Sequence, residues 1–153
     1  MITSMNLSAV NEICSWKYPE PYDVYNYMSF EEAVNCGSPL VKEENKNNYL
    51  CFWENQKLSA YINIYTKDDK VFIGIGLSPD CCGKGHGKAY LKQGIQTAEA
   101  RYPGREIWVE VRSWNIRAIK CYESCGFTEK YKETIKDRFG NDVEFVFMIL
   151  EEK

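Results

Sequence analysis

The spacing of apolar positions changes rhythm several times along the chain, and each change marks an element. Between residues 70 and 78, Val71, Ile73, Ile75 and Leu77 alternate with Phe72, Gly74 and Gly76. This predicts a strand whose second face loses its side chains toward the end. From 85 to 102 the rhythm lengthens. Leu91, Ile95, Ala98 and Tyr102 recur at helical spacing and stop before Pro103-Gly104, so a helix with one core face is expected. Ile107, Val109 and Val111 alternate with Trp108, Glu110 and Arg112 as a further strand, after which Asn115 opens a helix that Gly126 closes as its C-terminal cap. Upstream, Tyr49 to Trp53 and Leu58 to Tyr65 are rich in β-branched and aromatic residues and are joined by Glu54-Asn55-Gln56 as an antiparallel hairpin. Two long strands, about 128–136 and 143–151, end the chain, linked by Asp137-Arg138-Phe139-Gly140-Asn141-Asp142 with good turn chemistry.

The N-terminal third is less regular. A short helix is expected over 7–15, followed by Trp16-Lys17-Tyr18-Pro19-Glu20-Pro21-Tyr22, where two prolines exclude regular helix and leave a loop carrying rings. Ser29-Phe30-Glu31-Glu32 has the S-x-x-E spacing with which a serine and a glutamate satisfy a helix start, so a second short helix follows. No internal repeat, low-complexity tract or linker divides the sequence. Residues 1–153 are therefore expected to form one domain, a mixed α/β (α+β) sheet with helices packed on it.

Composition narrows the picture. A chain of 153 residues has room for one core. Its net charge of −3 and pI of about 5.3 provide no global attraction to nucleic acid or anionic lipid, and neither partner is expected. No apolar run approaches the roughly 18 to 20 residues that cross a bilayer. The opening Met1-Ile2-Thr3-Ser4-Met5-Asn6 lacks the basic start and apolar stretch of a signal peptide, so a cytoplasmic location is expected, with no membrane partner. Seven cysteines, at 14, 36, 51, 81, 82, 121 and 125, are an odd number without scaffold spacing and read as free thiols. Adjacent Cys81-Cys82, helically spaced Cys121 and Cys125 and a single histidine do not make a zinc pattern, so no metal is expected.

The densest chemical signal is Ser78-Pro79-Asp80-Cys81-Cys82-Gly83-Lys84-Gly85-His86-Gly87-Lys88, between a strand and a long helix. Glycines at a helix start let consecutive N–H groups approach an anion, the helix dipole adds fractional positive charge, and Lys84 and Lys88 add whole ones. A phosphate site is the inference; an ordinary flexible turn is the alternative. A P-loop is excluded because Cys82 stands at its first glycine and Ala89 at its metal-binding hydroxyl. The dinucleotide fingerprint also fails, since Tyr90 follows Gly85-x-Gly87 and Pro79 follows Gly74-x-Gly76 where a third glycine is needed.

Two blocks resemble the GNAT superfamily of acyl-CoA N-acyltransferases. Cys82-Gly83-Lys84-Gly85-His86-Gly87 is similar to its phosphate loop [QR]-x-x-G-x-[GA], departing at Cys82, and Asn115, Ala118, Tyr122, Gly126 and Phe127 meet every fixed position of N-x-x-A-x-x-x-Y-x-x-x-G-F. Trp108-Val109-Glu110-Val111-Arg112 with Asn115 and Tyr122 resembles the bacterial ribosomal-protein alanine N-acetyltransferases, whereas the Trp16–Tyr22 run does not. The resemblance implies a GNAT-like fold with a mostly antiparallel central sheet. Residues 1–48 would then lie on the substrate side, 70–127 would form the acetyl-CoA-binding and catalytic core, and 128–153 would supply the C-terminal strands.

It also implies that acetyl-CoA is the co-substrate and that a primary amine, on a small molecule or a peptide N-terminus, attacks its thioester directly. The pantetheine would lie along Ile75, Gly76 and Leu77, and the pyrophosphate on Cys82, Gly83, Lys84, Gly85, His86, Gly87 and Lys88, with Asn115 touching the cofactor or only capping its helix. Glu110 would take the proton of the amine, or else pair with Arg112; Tyr122 would protonate the leaving thiolate, or else serve as a core ring. Gly74 and Gly76 would leave room for the ligand, or mark a bulge. Tyr61, Asn63 and Tyr65 suggest a ringed pocket suited to a polyamine, an amino acid or a peptide N-terminus. Paired subunits are common in the family, so a homodimer is one implied partner. A sensor that binds acyl-CoA without turnover is the competing function, and the departure at Cys82 is what allows it.

Overall fold

A computed structural model of the chain describes residues 1–137 and 139–151; Arg138, in the last predicted turn, lies outside the described residues. The elements in chain order are β1 (Ile2–Thr3), α1 (Leu7–Ser15), α2 (Phe30–Cys36), β2 (Tyr49–Glu54), β3 (Lys57–Lys67), β4 (Lys70–Leu77), α3 (Gly87–Arg101), β5 (Ile107–Arg112), α4 (Ile116–Ser124), β6 (Phe127–Lys136) and β7 (Asp142–Leu150). Short 3-10 turns occupy Tyr22–Tyr25, Pro39–Val41, Glu43–Asn48 and Pro79–Cys81. The strands form one seven-stranded sheet in the order β1-β2-β3-β4-β5-β7-β6, in which β1–β2, β2–β3, β5–β7 and β6–β7 pair antiparallel and β4–β5 pairs parallel. The expected mixed, mostly antiparallel sheet flanked by helices is therefore present.

Two compact units make up the chain, Met1–Asn63 with Ile75–Lys84, and Ile64–Gly74 with Gly85–Lys153. In the first, α1 starts where the Asn6 side chain accepts the Ala9 N–H at 2.8 Å, and it buries Ala9, Val10 and Ile13. These pack with Met5, Trp16, Leu40, Tyr49, Cys51 and Leu58 as one apolar cluster. At the start of α2, Ser29 Oγ accepts the Glu32 N–H at 3.2 Å and donates to the Glu32 carboxylate at 3.0 Å. The predicted serine–glutamate pair is there, but the glutamate meets the hydroxyl. Asn55 and Gln56, with φ of 49° and 65°, make the two-residue turn of the β2–β3 hairpin.

In the second unit, α3 buries Leu91, Gly94, Ile95 and Ala98, and burying a leucine or isoleucine side chain stabilises by about 1.5 to 3 kcal/mol. It begins at Gly87, two residues later than the apolar spacing predicts, because Gly85 has φ +79° and cannot join a right-handed helix. Register assigns the sheet faces. Opposite pairs share a face, so Trp108–Ile149, Glu110–Phe147 and Arg112–Phe145 project to one side, and Val109–Met148, Val111–Val146 and Phe127–Leu150 to the other. β6 is an edge strand whose residues are mostly exposed, and a register shift interrupts its pairing between Glu129 and Tyr131. Asp137 orders the following turn by accepting the Phe139 and Asn141 N–H groups, both at 2.9 Å.

Among the described residues no helix is long and apolar enough to cross a membrane, and no group of three His, Cys, Asp or Glu side chains is placed to hold a metal ion. All seven cysteines are free thiols.

Candidate active site

The strand β4 presents one edge to β3 and the other away from it, and two backbone bonds fix which residue faces which way. Ser78 N–H donates to Ser59 C=O at 2.9 Å on the β3 side, and Val71 N–H donates to Glu106 C=O at 2.9 Å on the β5 side. Strand groups alternate, so Gly76 also faces β3, while Ile75 and Leu77 present their N–H and C=O groups to the outer edge. Pairing of β4 with β5 is confined to Val71–Ile107 and Phe72–Trp108. Beyond them the outer edge of Ile75–Leu77 has no strand partner among the described residues. An extended ligand with amide groups fits such an edge.

The void at Gly76 has a different occupant from the expected ligand. The register that sets Ser78 against Ser59 also sets Gly76 directly across from Tyr61. The Tyr61 ring lies over the glycine so closely that a Cβ there would sit 2.3 Å from Cε1. Tyr61 is further held by stacking on Trp16, with centroids 6.1 Å apart, and by a tilted contact with Tyr49. Its phenol is pushed up to about 12, chiefly by burial. The room for a ligand expected at Gly76 is therefore taken by the protein's own ring. Tyr65 likewise stacks on Phe72 at 5.7 Å, so the expected ringed pocket is packed in part by its own side chains.

The glycine loop contrasts with this. Gly83 and Gly85 have φ of +72° and +79° and nothing within 4 Å of a notional Cβ. Lys84 and Lys88 are exposed beside them. His86, exposed, is the N-cap of α3 but makes no side-chain cap bond, and Gly87 is the buried first residue of the helix. The first-turn amides of α3 thus have no side-chain acceptor from the cap position, which leaves the donors and the positive end of the helix for an anion. Cys82 departs from the loop pattern in direction as well as identity: its thiol turns back to the Leu77 carbonyl, 3.9 Å away. Taken singly, the open strand edge suits an extended amide chain and the uncapped helix start suits a phosphate, and acetyl-CoA carries both groups.

The second unit carries the acid–base candidates. Glu110 lies on the sheet face with Phe147 and Trp108. Its carboxyl is pushed up from the ordinary value, first by burial and also by Glu133, while Lys67 opposes. Arg112 is engaged instead with Asp137, Nη2 to Oδ2 at 3.7 Å, and over the Phe145 ring. Among the described residues Glu110 has no ion pair, so the alternative of an Arg112 partner is not realised. Tyr122 is the buried residue of α4, 6 % exposed, and packs edge-on against Phe127 with centroids 5.9 Å apart. Phe127 pairs with Leu150 on the face opposite to Glu110, so these two candidates do not lie side by side. Asn115 caps α4, its side chain accepting the Ala118 N–H at 3.2 Å.

A model of the Acetyltransferase (GNAT) family matches residues 7–127. The ribosomal protein bS18-alanine N-acetyltransferase of Escherichia coli is 36% identical over 123 residues, covering 78% of this chain and 82% of that one. A spermidine N-acetyltransferase chimera from Vibrio cholerae and hSSAT superposes with a TM-score of 0.74 at 17% identity, over 98% of this chain and 94% of that one. An acetyltransferase of Salmonella typhimurium solved with its cofactor acetyl-CoA gives a TM-score of 0.68 at 19% identity, over 100% and 95% of the two chains. Through the family match and the bS18-alanine relative, this chain belongs to the GNAT family and is an acetyl-CoA-dependent N-acetyltransferase.

Proposed function

We propose that residues 1–153 work as one cytoplasmic acetyltransferase domain that acetylates the α-amino group of a peptide or protein N-terminus. The observation that carries this acceptor is the 36% identity to a relative whose name specifies a ribosomal-protein alanine. In the proposed reaction the strand edge Ile75–Leu77 holds the pantetheine, and a backbone N–H there polarises the thioester carbonyl. The loop Cys82–Lys88 holds the pyrophosphate, chiefly through backbone amides.

Glu110 takes a proton from the acceptor ammonium, directly or through water, and its raised pKa matches it better to that proton than an ordinary carboxylate. The freed amine forms the new C–N bond, the C–S bond breaks, Tyr122 gives its proton to the departing thiolate, and the nitrogen sheds its surplus proton to water, from which the Tyr122 phenolate is reprotonated. Acid and base need not touch, since one serves the leaving sulfur and the other the attacking nitrogen. Holding both reactants on one scaffold removes much of the entropic barrier.

A small polycationic amine is the second reading, favoured by Tyr131, 40 % exposed and stacked on Phe147 at 4.8 Å, together with the carboxylates of Glu110 and Glu133. Acetyl-CoA with an alanine-initiated peptide, or with spermidine, analysed by product mass, separates the two. An N-terminally acetylated peptide with spermidine unmodified supports the first; the reverse replaces it with the second.

A further inference from the structure

We propose that Tyr18 and Cys82 set the register of acetyl-CoA along β4 by closing the Leu77 carbonyl. The inference rests on the reading that this strand edge holds the pantetheine. From Ile75 onward the edge offers, in order, the Ile75 N–H, the Ile75 C=O, the Leu77 N–H and the Leu77 C=O. The last of these is occupied. Tyr18 Oη donates to it at 2.6 Å, and the Cys82 thiol, a weaker donor, approaches it at 3.9 Å. A carbonyl oxygen has two lone pairs, and here two donors meet them.

An extended ligand amide therefore finds three groups open and the fourth closed. Sliding the ligand to the next equivalent position along the strand would move it by about 6.6 Å. Attack needs the reacting atoms within about 3 to 3.5 Å, so a slipped thioester is out of reach. Tyr18 is a positioning residue on this account: it touches the strand, not the reacting atoms. Its loop is anchored for the task, with the Tyr18 N–H donating to Asn26 Oδ1 at 2.8 Å and Trp16 stacked on Tyr61. Cys82 gains a use as well. Where the family pattern has a long polar side chain for the loop, this chain has a short thiol that turns inward to the strand end.

Tyr18→Phe keeps the ring and removes the donor, and Cys82→Ala removes the other. With acetyl-CoA and whichever acceptor turns over, Tyr18→Phe should lower kcat about tenfold while the calorimetric Kd for acetyl-CoA stays within about twofold, since the phosphate loop is untouched. Cys82→Ala should give a smaller fall in kcat, and Cys82→Ser should restore it. Amide hydrogen exchange reads the register without an acceptor: acetyl-CoA should protect the Ile75 and Leu77 amides in the unsubstituted protein, and Tyr18→Phe should lose the Leu77 part of that protection. Unchanged kcat and unchanged protection in Tyr18→Phe would overturn the register proposal alone. Failure of the unsubstituted protein to protect either amide on adding acetyl-CoA would overturn the strand-edge reading beneath it.

Discussion

Glycines at the end of β4 and in the loop after it look alike in the sequence but answer to different causes. Gly76 is forced by the chain itself: Tyr61, its partner across the hairpin, fills the space a side chain would need. Gly83 and Gly85 are forced by backbone conformation, with open space around them. A bare position can thus record either a neighbour already in place or a vacancy kept for something outside the chain. Only the second bears on ligand binding.

The largest effect that would test this contrast is expected at Gly76. Gly76→Ala should cost about 3 kcal/mol in urea unfolding, because the Cβ meets a ring held by Trp16 and Tyr49. Adding Tyr61→Ala should return part of that loss, and a double-mutant cycle without coupling would refute the packing account. Gly85→Ala should cost less, about 1 to 2 kcal/mol for a left-handed alanine, and should weaken acetyl-CoA binding in calorimetry. Tyr61→Ala should bring no relief there.

Helix starts repeat the contrast on a smaller scale. α4 is capped by Asn115 and α3 by no side chain, so Asn115→Ala should lower stability by about 1 kcal/mol, seen as a reduced Tm. The smallest effect is electrostatic. Glu110 must be ionised to accept a proton, and its pKa is raised, so the acid limb of kcat/KM should lie above the ordinary glutamate range, with activity lost as pH falls through it. Glu133→Gln should move that limb down and Lys67→Gln should move it up. A limb indifferent to both would remove Glu110 from the role of base.

How far the sequence could be read follows the same physics. α1 at Leu7–Ser15 and β5 at Ile107–Arg112 match their predicted spans because local periodicity defines them. β1 went unseen, since two residues, Ile2 and Thr3, have no period and exist as a strand only against Cys51 and Phe52. Asn115 is legible as a cap because it opens the helix that Gly126 closes, and its side chain does accept the Ala118 N–H, while Tyr122 lies on the buried face of that helix. The occupant of the Gly76 void was missed because it comes from fifteen positions away. A signal existed: Asp68 and Asp69, with φ of 52° and 63°, form a two-residue turn, and counting outward from it brings Tyr61 opposite Gly76. The inward turn of Cys82 had no such signal, because a loop side chain's direction depends on where the preceding strand ends.

β6 closes one margin of the sheet, and among the described residues no strand pairs with its outer edge, the kind of border onto which another chain can add. Lys132, Thr134 and Lys136 line one of its faces, and the interruption between Glu129 and Tyr131 disturbs its straightness. Two copies approaching margin to margin would bring the Lys132 ammonium toward its own image, while that of Lys136 is held by Asp142 at 2.8 Å. The border is long enough to recruit a neighbour, and the break in its register together with its lysines makes it a poor template for one.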